Sequence, residues 1–127
     1  MIAQILIGED SPDIAMLLQE FLAARKHLVV VATDGFDLRQ KASEHRPHLI
    51  ITDVQMPGAY GSSVYQSLQN DPKTASIPVI FISAHPYDKI KTIIPEGPKT
   101  RFVQKPIDFK KLDLMIQELL PLGGFAP

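Results

Sequence analysis

The chain has 127 residues, a length that suits one domain with a single hydrophobic core. Apolar residues make up 45% of the sequence and charged residues 21%, and the net charge of −1 gives no electrostatic attraction to nucleic acid. Cysteine is absent, which excludes disulfides, thiol chemistry and zinc–thiolate sites.

The amino-terminal segment has the pattern of a strand and not that of a targeting signal. It lacks a basic n-region, and the acids Glu9 and Asp10 come too soon for a signal peptide. No apolar run in the sequence approaches membrane-spanning length. We therefore expect a cytoplasmic protein with no contact to a membrane.

Residues 5–7 predict the first strand, which ends at Glu9 and Asp10. Pro12 suits the first turn of a helix, and Asp10 or Ser11 is the expected cap. Apolar residues then recur at helical spacing and predict one stripe facing the core: Ile14, Leu17, Leu18, Phe21 and Leu22.

Two further strands follow in the middle of the chain. Residues 28–32 predict a second buried strand, and a weaker helix with Leu38 and Ala42 facing inward comes after it. Residues 49–51 are consecutive, apolar and mostly β-branched, which suits a strand buried on both faces. Asp53 therefore lies where the third strand ends.

The last part of the chain continues the alternation of helix and strand. A short helix is expected over 62–69, and residues 77–82 predict a fourth strand that ends at Ser83. Prolines 95 and 98 exclude a long helix before the brief strand 101–104, which finishes at Lys105. Asp108 is the expected cap of a last helix with these inward residues: Leu112, Met115, Ile116, Leu119 and Leu120.

Five alternations of strand and helix with short connections predict an α/β protein with a parallel sheet covered by helices on both faces. The carboxyl ends of parallel strands meet at one edge of the sheet, where ligands bind in open α/β folds. The polar residues that follow the strands should therefore lie together at that edge: Glu9, Asp10, Asp53, Ser83 and Lys105.

This combination of side chains suits phosphoryl chemistry. Three carboxylates would repel one another unless a cation joined them, and hard oxygen ligands suit Mg²⁺. The hydroxyl of Ser83 and the ammonium of Lys105 can hold the oxygens of a phosphoryl group. Asp53 is the natural nucleophile, because a carboxylate can attack phosphorus to give an aspartyl phosphate.

From about residue 5 to residue 120 the sequence resembles the receiver domain of two-component response regulators. Ser83 comes 30 positions after Asp53, and Lys105 comes 22 positions after Ser83, intervals similar to those of that family. The residues that carry the resemblance are Glu9-Asp10, Asp53 within the motif 53–58, Gly61, Ser83-Ala84 and Lys105-Pro106.

The resemblance implies a flavodoxin-like (βα)5 sandwich with strand order 2-1-3-4-5, a receiver domain over 1–121, and a tail or linker start over 122–127. It also implies that Asp53 is phosphorylated. Mg²⁺ would be bound by Asp10, by Asp53, by Glu9 through water and by the main-chain carbonyl of Gln55. The phosphoryl oxygens would be held by Ser83, Lys105 and main-chain N–H groups near Val54, Gln55 and Ala84.

The family's switch pairs a hydroxyl with an aromatic ring on the fifth strand, which here would be Ser83 and Phe102. Gln55 and His85 occupy positions that tune the lifetime of the phosphoryl group. The chain departs from the family pattern over 95–100, where Pro95 and Pro98 replace a small, Ala/Gly-rich approach to the fifth strand. Phe102 also lacks the hydroxyl of the tyrosine often found there.

The implied partners are a sensor histidine kinase or histidine phosphotransfer protein, a downstream target or output domain, and a second copy in a phosphorylation-linked homodimer. The protein would not be a turnover enzyme. Two alternatives stay open: a phosphate-independent interaction module of the same fold, and a phosphohydrolase of the haloacid dehalogenase type. The latter family has a second Asp two residues after the nucleophile, where this chain has Gln55.

Overall fold

The computed structural model describes residues 2–56, 59–92, 94 and 96–123. Its main sheet has five parallel strands in the order 2-1-3-4-5, so the predicted flavodoxin-like topology is confirmed. The strands are β1 (Gln4–Gly8), β2 (Leu28–Ala32), β3 (Leu49–Asp53), β4 (Val79–Ser83) and β5 (Thr100–Gln104).

Helices cover both faces of this sheet. They are α1 (Pro12–Ala24), α2 (Gly35–His45), α3 (Gly61–Asn70), α4 (Tyr87–Ile90) and α5 (Phe109–Leu119), followed by a 3₁₀ turn at Pro121–Gly123. The helices α1 and α5 pack on one face, and α2, α3 and α4 pack on the other. None of the helices in the described part of the chain has the length and apolar character needed to cross a lipid bilayer.

The alternation of side chains along β1 shows how one strand serves two cores. Ile5 and Ile7 join the cluster that contains Leu18 of α1. Leu6 points to the opposite face and joins the cluster that contains Leu38 of α2. Because successive side chains of a strand point to opposite faces, a strand covered on both sides must be apolar at every position.

The predicted inward face of α1 was partly wrong. Leu18 and Leu22 are fully buried, but Leu17 is 53% exposed, and Ala15 is buried in its place. The apolar stripe of this helix is wider than the surface that the sheet covers. The expected side-chain cap is also absent, since Ser11 makes no capping hydrogen bond and its N–H donates to Glu9 Oε2 at 3.1 Å.

The second strand is an edge strand and not a buried one, which corrects the prediction from its apolar sequence. Of the described strands it pairs with β1 alone, and Leu28 at its start is 59% exposed. The ammonium of Lys41 donates a hydrogen bond of 2.7 Å to the carbonyl of Val31. A lysine at an edge strand discourages pairing with another chain.

Among the residues described between β4 and β5 the structure has a short helix and no long one, as the prolines predicted. The helix α4 has four residues, and Ile90 and Ile94 are buried. Pro95 lies outside the described residues. The predicted cap of α5 is confirmed, because the Asp108 carboxylate accepts hydrogen bonds from the N–H groups of Lys110 and Lys111.

Burial of His27 links folding stability to pH. Burial lowers the pKa of this imidazole from its ordinary 6.5, and the positive charge of Arg25 lowers it further. Within the described residues, its buried Nδ1 has no hydrogen-bond partner. A depressed pKa of the folded state means that this contribution to stability is present above about pH 6.5 and is lost as the pH falls through the folded value.

We therefore expect the free energy of unfolding to depend less on pH in His27→Gln than in the wild type below about pH 6.5. Urea unfolding followed by circular dichroism at about pH 7.5 and 5.5 measures this difference. His45→Gln, at an exposed position on α2, is the matched control and should retain the wild-type dependence. Equal pH dependence of His27→Gln and wild type would contradict the expectation.

Candidate functional site

The carboxyl edge of the sheet brings the predicted polar residues together. Glu9 follows β1, Asp53 is the last residue of β3, Ser83 is the last residue of β4, and Lys105 follows β5. Three of these strands, β1, β3 and β4, are hydrogen-bonded neighbours, and β5 pairs with β4. The parallel register therefore delivers four strand ends to one place.

The ammonium of Lys105 bridges two carboxylates that come from different strands. Its Nζ lies 2.6 Å from Asp53 Oδ2 and 3.0 Å from Glu9 Oε1. Glu9 is 1% exposed and Asp53 8% exposed, whereas the Lys105 side chain is 20% exposed. Two buried carboxylates are costly to maintain, and a shared cation reduces that cost.

Main-chain groups fix the other oxygen of each carboxylate. The N–H of Gln55 donates to Asp53 Oδ1 at 2.8 Å, and the N–H of Ser11 donates to Glu9 Oε2 at 3.1 Å. Each acid therefore presents one oxygen to the backbone of its own loop and one to Lys105. The two side chains are oriented before any ligand arrives.

These contacts shift two pKa values in this site. Burial raises the pKa of Glu9 above its ordinary 4.5, and the neighbouring charge of Asp53 raises it further, against the opposing effects of the Ser11 N–H and Lys105. Burial acts to lower the pKa of Lys105, but its hydrogen bond with Asp53 and its close contacts with the charges of Asp53 and Glu9 outweigh burial and raise the pKa above 10.5. Lys105 is thus a cation at neutral pH.

The third acid, Asp10, completes a group that can hold a metal ion. Carboxylate oxygens of Glu9, Asp10 and Asp53 all lie within 4.8 Å of one another, with Asp10 exposed at the mouth. Among the described residues, Glu9 Oε1 has no hydrogen bond of good geometry, although the ammonium of Lys105 is close to it. An all-oxygen set with excess negative charge suits a hard divalent cation such as Mg²⁺.

The end of β4 lies beside this cluster. Ser83 is buried, and its Oγ accepts a hydrogen bond of 3.0 Å from the N–H of His85. The N–H of Lys105 donates to the Ser83 carbonyl at 2.7 Å, so the backbones that follow β4 and β5 are tied together. Ala84 and His85 are exposed at the rim.

One of the expected main-chain donors is already used by the sheet. The N–H of Val54 donates to the carbonyl of Ile82 at 2.9 Å. It could approach a phosphoryl oxygen only after giving up this bond, and the N–H of Gln55 is likewise engaged, because it donates to Asp53 Oδ1. Pro57 and Gly58 of the motif lie outside the described residues.

Phe102 lies on β5, three residues before Lys105, and its half-buried ring packs against a residue that the sequence analysis did not consider. The ring centroids of Phe102 and Tyr87 are 5.3 Å apart. The Tyr87 hydroxyl in turn donates a hydrogen bond of 2.8 Å to Glu96 Oε1. No pattern in the sequence joins these three positions, because they come from α4, a loop and β5.

Two features of the loops were also missed. The segment after Asp53 forms a two-residue antiparallel ribbon, in which Gln55–Met56 pairs with Ala59–Tyr60. The peptide bond between Lys105 and Pro106 is cis. A proline after Lys105 makes a cis bond possible, but the sequence does not say which isomer is present.

Comparison with known proteins gives a clear family assignment. The profile of the response regulator receiver domain matches residues 5–117. Protein PilH of Pseudomonas aeruginosa is 30% identical, with 93% of this chain and 98% of PilH covered. The chain therefore belongs to the receiver domain family of two-component signal transduction.

Longer relatives contain the same unit. Response regulator PleD of Caulobacter vibrioides is 35% identical over 94% of this chain, which spans only 26% of the length of PleD. Hybrid signal transduction histidine kinase D of Dictyostelium discoideum is 25% identical over 93% of this chain and 8% of that protein. The chain thus spans about a quarter of the length of the first of these curated relatives and less than a tenth of the second.

Solved structures agree with this assignment. The signal receiver domain of a histidine kinase from Syntrophus aciditrophicus is 30% identical, with a TM-score of 0.81 over 94% of this chain and 90% of that one. The receiver domain of the sensor histidine kinase PA1611 from Pseudomonas aeruginosa has a TM-score of 0.86 and 20% identity over 95% and 99% of the two chains. That structure has a magnesium ion coordinated in its active-site cleft.

Removal of the bridging cation should destabilise the fold. In Lys105→Met the buried carboxylates of Glu9 and Asp53 lose their shared partner, so we expect the free energy of unfolding in EDTA to fall by about 2–4 kcal/mol. Mg²⁺ should restore part of this loss, because a ligand that binds only the folded state stabilises it. Chemical denaturation with and without Mg²⁺ measures both effects.

Lys110→Met, on the exposed surface of α5, is the matched control and should change stability by no more than about 0.5 kcal/mol. Wild-type stability of Lys105→Met in EDTA would show that the ion pair does not compensate for burial of the acids.

Proposed function

We propose that this receiver domain accepts a phosphoryl group on Asp53 from a phosphohistidine, supplied by a sensor histidine kinase or a histidine phosphotransfer protein. The observation that carries the proposal is the position of Asp53. Its Oδ2 lies 2.6 Å from Lys105 Nζ, and its carboxylate is within 4.8 Å of those of Glu9 and Asp10. The nucleophile Asp53 therefore lies beside both a cation and oxygens that can bind a metal ion.

In the proposed transfer, an oxygen of Asp53 forms a bond to phosphorus as the bond from phosphorus to the donor histidine nitrogen breaks. The electron pair of that bond stays on the imidazole nitrogen, which takes up a proton when it leaves. Such transfers pass through a loose transition state, so positioning and charge neutralisation do most of the catalysis. The backbone bond from Gln55 to Oδ1 holds the Asp53 carboxylate in one orientation for the attack.

The acids of this chain are suited to hold Mg²⁺ during that step. Asp10, Asp53 and the main-chain carbonyl of Gln55 would be direct ligands, and Glu9 would act through water. When bound, the ion neutralises charge on the phosphoryl oxygens and on the acids. Lys105 Nζ is so close to Asp53 that it could move from the carboxylate to an oxygen of a phosphoryl group on the same side chain.

Phosphorylation would replace the single negative charge of the Asp53 carboxylate by a charge of about −2 on the phosphoryl group and change the contacts around it. We propose that Ser83 then gives up its bond from the His85 N–H and turns toward the phosphoryl group. Rotation of Phe102 would break its ring contact with Tyr87 and alter the surface formed by α4 and β5. The domain would thus act as a phosphorylation switch for a partner and not as a turnover enzyme.

Incubation with acetyl phosphate and Mg²⁺ should add one phosphoryl group per chain, measured as intact mass. Asp53→Asn should not be labelled, because an amide cannot form the acyl phosphate. Labelling should also fail in EDTA. Labelling of Asp53→Asn to the wild-type level, or no labelling of the wild type, would contradict the proposal.

Steady hydrolysis of p-nitrophenyl phosphate would instead support a phosphohydrolase. A folded wild type that binds its partner equally well with and without acetyl phosphate would support a phosphate-independent interaction module.

Gln55 and His85 should control how long the phosphoryl group lasts. Both side chains are exposed at the rim of the site, where they can shield Asp53 from an attacking water or admit it. In Gln55→Ala and His85→Ala we expect the dephosphorylation rate to change about threefold or more, while stability changes by no more than about 0.5 kcal/mol. Decay of the phosphorylated mass over time, beside urea unfolding, measures both quantities.

Lys73 is exposed in the segment that follows α3. Lys73→Ala is therefore the control and should have the wild-type dephosphorylation rate. Wild-type decay in both rim variants would show that these positions do not tune the lifetime.

A further inference from the structure

The last residue of β1 and the residue before Asp53 on β3 fit together unusually closely. Gly8 and Thr52 are direct partners in the parallel register. A Cβ added at Gly8 would lie 2.5 Å from Thr52 Oγ1, which is too close for any real Cβ. It would also lie 3.0 Å from Met56 Cε and 3.1 Å from Leu38 Cδ1.

Thr52 fills the space that a side chain at position 8 would need. Thr52 is 1% exposed, and its hydroxyl donates a hydrogen bond of 3.2 Å to the carbonyl of Asp53. Partners in adjacent strands have side chains on the same face, so the missing Cβ of Gly8 leaves room for the Thr52 hydroxyl. The short polar side chain of Thr52 therefore occupies the space that Gly8, which has no side chain, leaves open.

This contact lies one residue before the acids on both strands. Gly8 precedes Glu9 and Asp10, and Thr52 precedes Asp53. Lys105 must reach Asp53 at 2.6 Å and Glu9 at 3.0 Å at the same time, which fixes the separation of the two strand ends closely. A change in the spacing of β1 and β3 at this point would move the acids relative to one another.

We propose that Gly8 and Thr52 are a matched positioning pair that sets the spacing of the acids and thereby the affinity for a divalent cation. This inference rests on the proposed function, since it concerns the same site. In this proposal neither residue contacts the cation or the phosphoryl group. They act through the strand ends that hold Glu9, Asp10 and Asp53.

The obstacle at position 8 differs among its three neighbours. Met56 Cε and Leu38 Cδ1 are the ends of flexible side chains and can move aside. Thr52 Oγ1 is attached directly to Cβ, so it can yield only by rotation, with loss of its bond to the Asp53 carbonyl, or by separation of the strands. Either change would disturb the segment that carries Asp53.

The test measures the Mg²⁺ dissociation constant by titration calorimetry and the labelling rate with acetyl phosphate. The variants are Gly8→Ala, Thr52→Ala and the double variant, each at a temperature where circular dichroism shows it folded. Misplacement of catalytic groups by about 1 Å can cost 100-fold, so we expect Gly8→Ala to weaken Mg²⁺ binding and slow labelling about tenfold or more. Thr52→Ala should remain within about threefold of the wild type, and the double variant should recover to that level.

Recovery in the double variant would show that the contact between these two residues carries the effect, because two unconnected destabilising changes would add. Gly97→Ala is the matched control, since a Cβ there would meet Thr100 Oγ1 at an ordinary 3.6 Å. It should leave both measurements unchanged. Wild-type Mg²⁺ affinity in folded Gly8→Ala, or no recovery in the double variant, would overturn the inference.

A second comparison decides the matter if Gly8→Ala does not fold. Thr52→Ser keeps the hydroxyl and should retain wild-type affinity, whereas Thr52→Val puts a wider methyl group against Gly8 and should weaken Mg²⁺ binding about threefold or more. Equal affinities in these two variants would overturn the inference. A wild type that binds no Mg²⁺ and takes no phosphoryl group would instead overturn the proposed function itself.

Discussion

The site depends on one electrostatic contact, in which the ammonium of Lys105 is shared by two buried carboxylates from different strands. Burial of Glu9 and Asp53 without a partner would cost several kcal/mol for each charge. The cation that offsets this cost comes from the end of β5, two strands away from β3 in the sheet. Stability of this edge of the sheet and the chemistry proposed for Asp53 therefore rest on the same group of atoms.

This arrangement explains why the site belongs at the carboxyl edge of a parallel sheet. The strands β1, β3, β4 and β5 each contribute polar residues at or after their ends, while the interiors of β1, β3 and β4 are apolar and packed between two layers of helices. The rigid strands fix the separations, and the loops supply the main-chain donors that orient Asp53 and Glu9. The three carboxylates of this site exceed its one ammonium by two negative charges, an excess that a divalent cation would neutralise.

Most of the sheet and the membership of the site could be predicted from sequence, because buried parallel strands are continuous apolar runs and their ends are marked by polar residues. The exposure of Leu17 and Leu28 could not, since it depends on which surfaces the neighbouring elements leave uncovered. The contacts between Gly8 and Thr52 and between Phe102 and Tyr87 join residues far apart in the chain. They follow from register and packing, which a single sequence does not encode in any local pattern.

The central claim is that the acids at the carboxyl edge of the sheet form one site for a divalent cation. Its most direct test is an amide NMR spectrum of the wild type titrated with Mn²⁺, whose unpaired electrons broaden the signals of nearby nuclei. We expect broadening to be centred on residues 9–11 and 53–55 and to include 83–85 and Lys105, since one cation would lie between these strand ends. Broadening centred on another acidic surface, such as Asp34 and Asp37 at the start of α2, would contradict the claim. So would a spectrum that Mn²⁺ leaves unchanged at these residues.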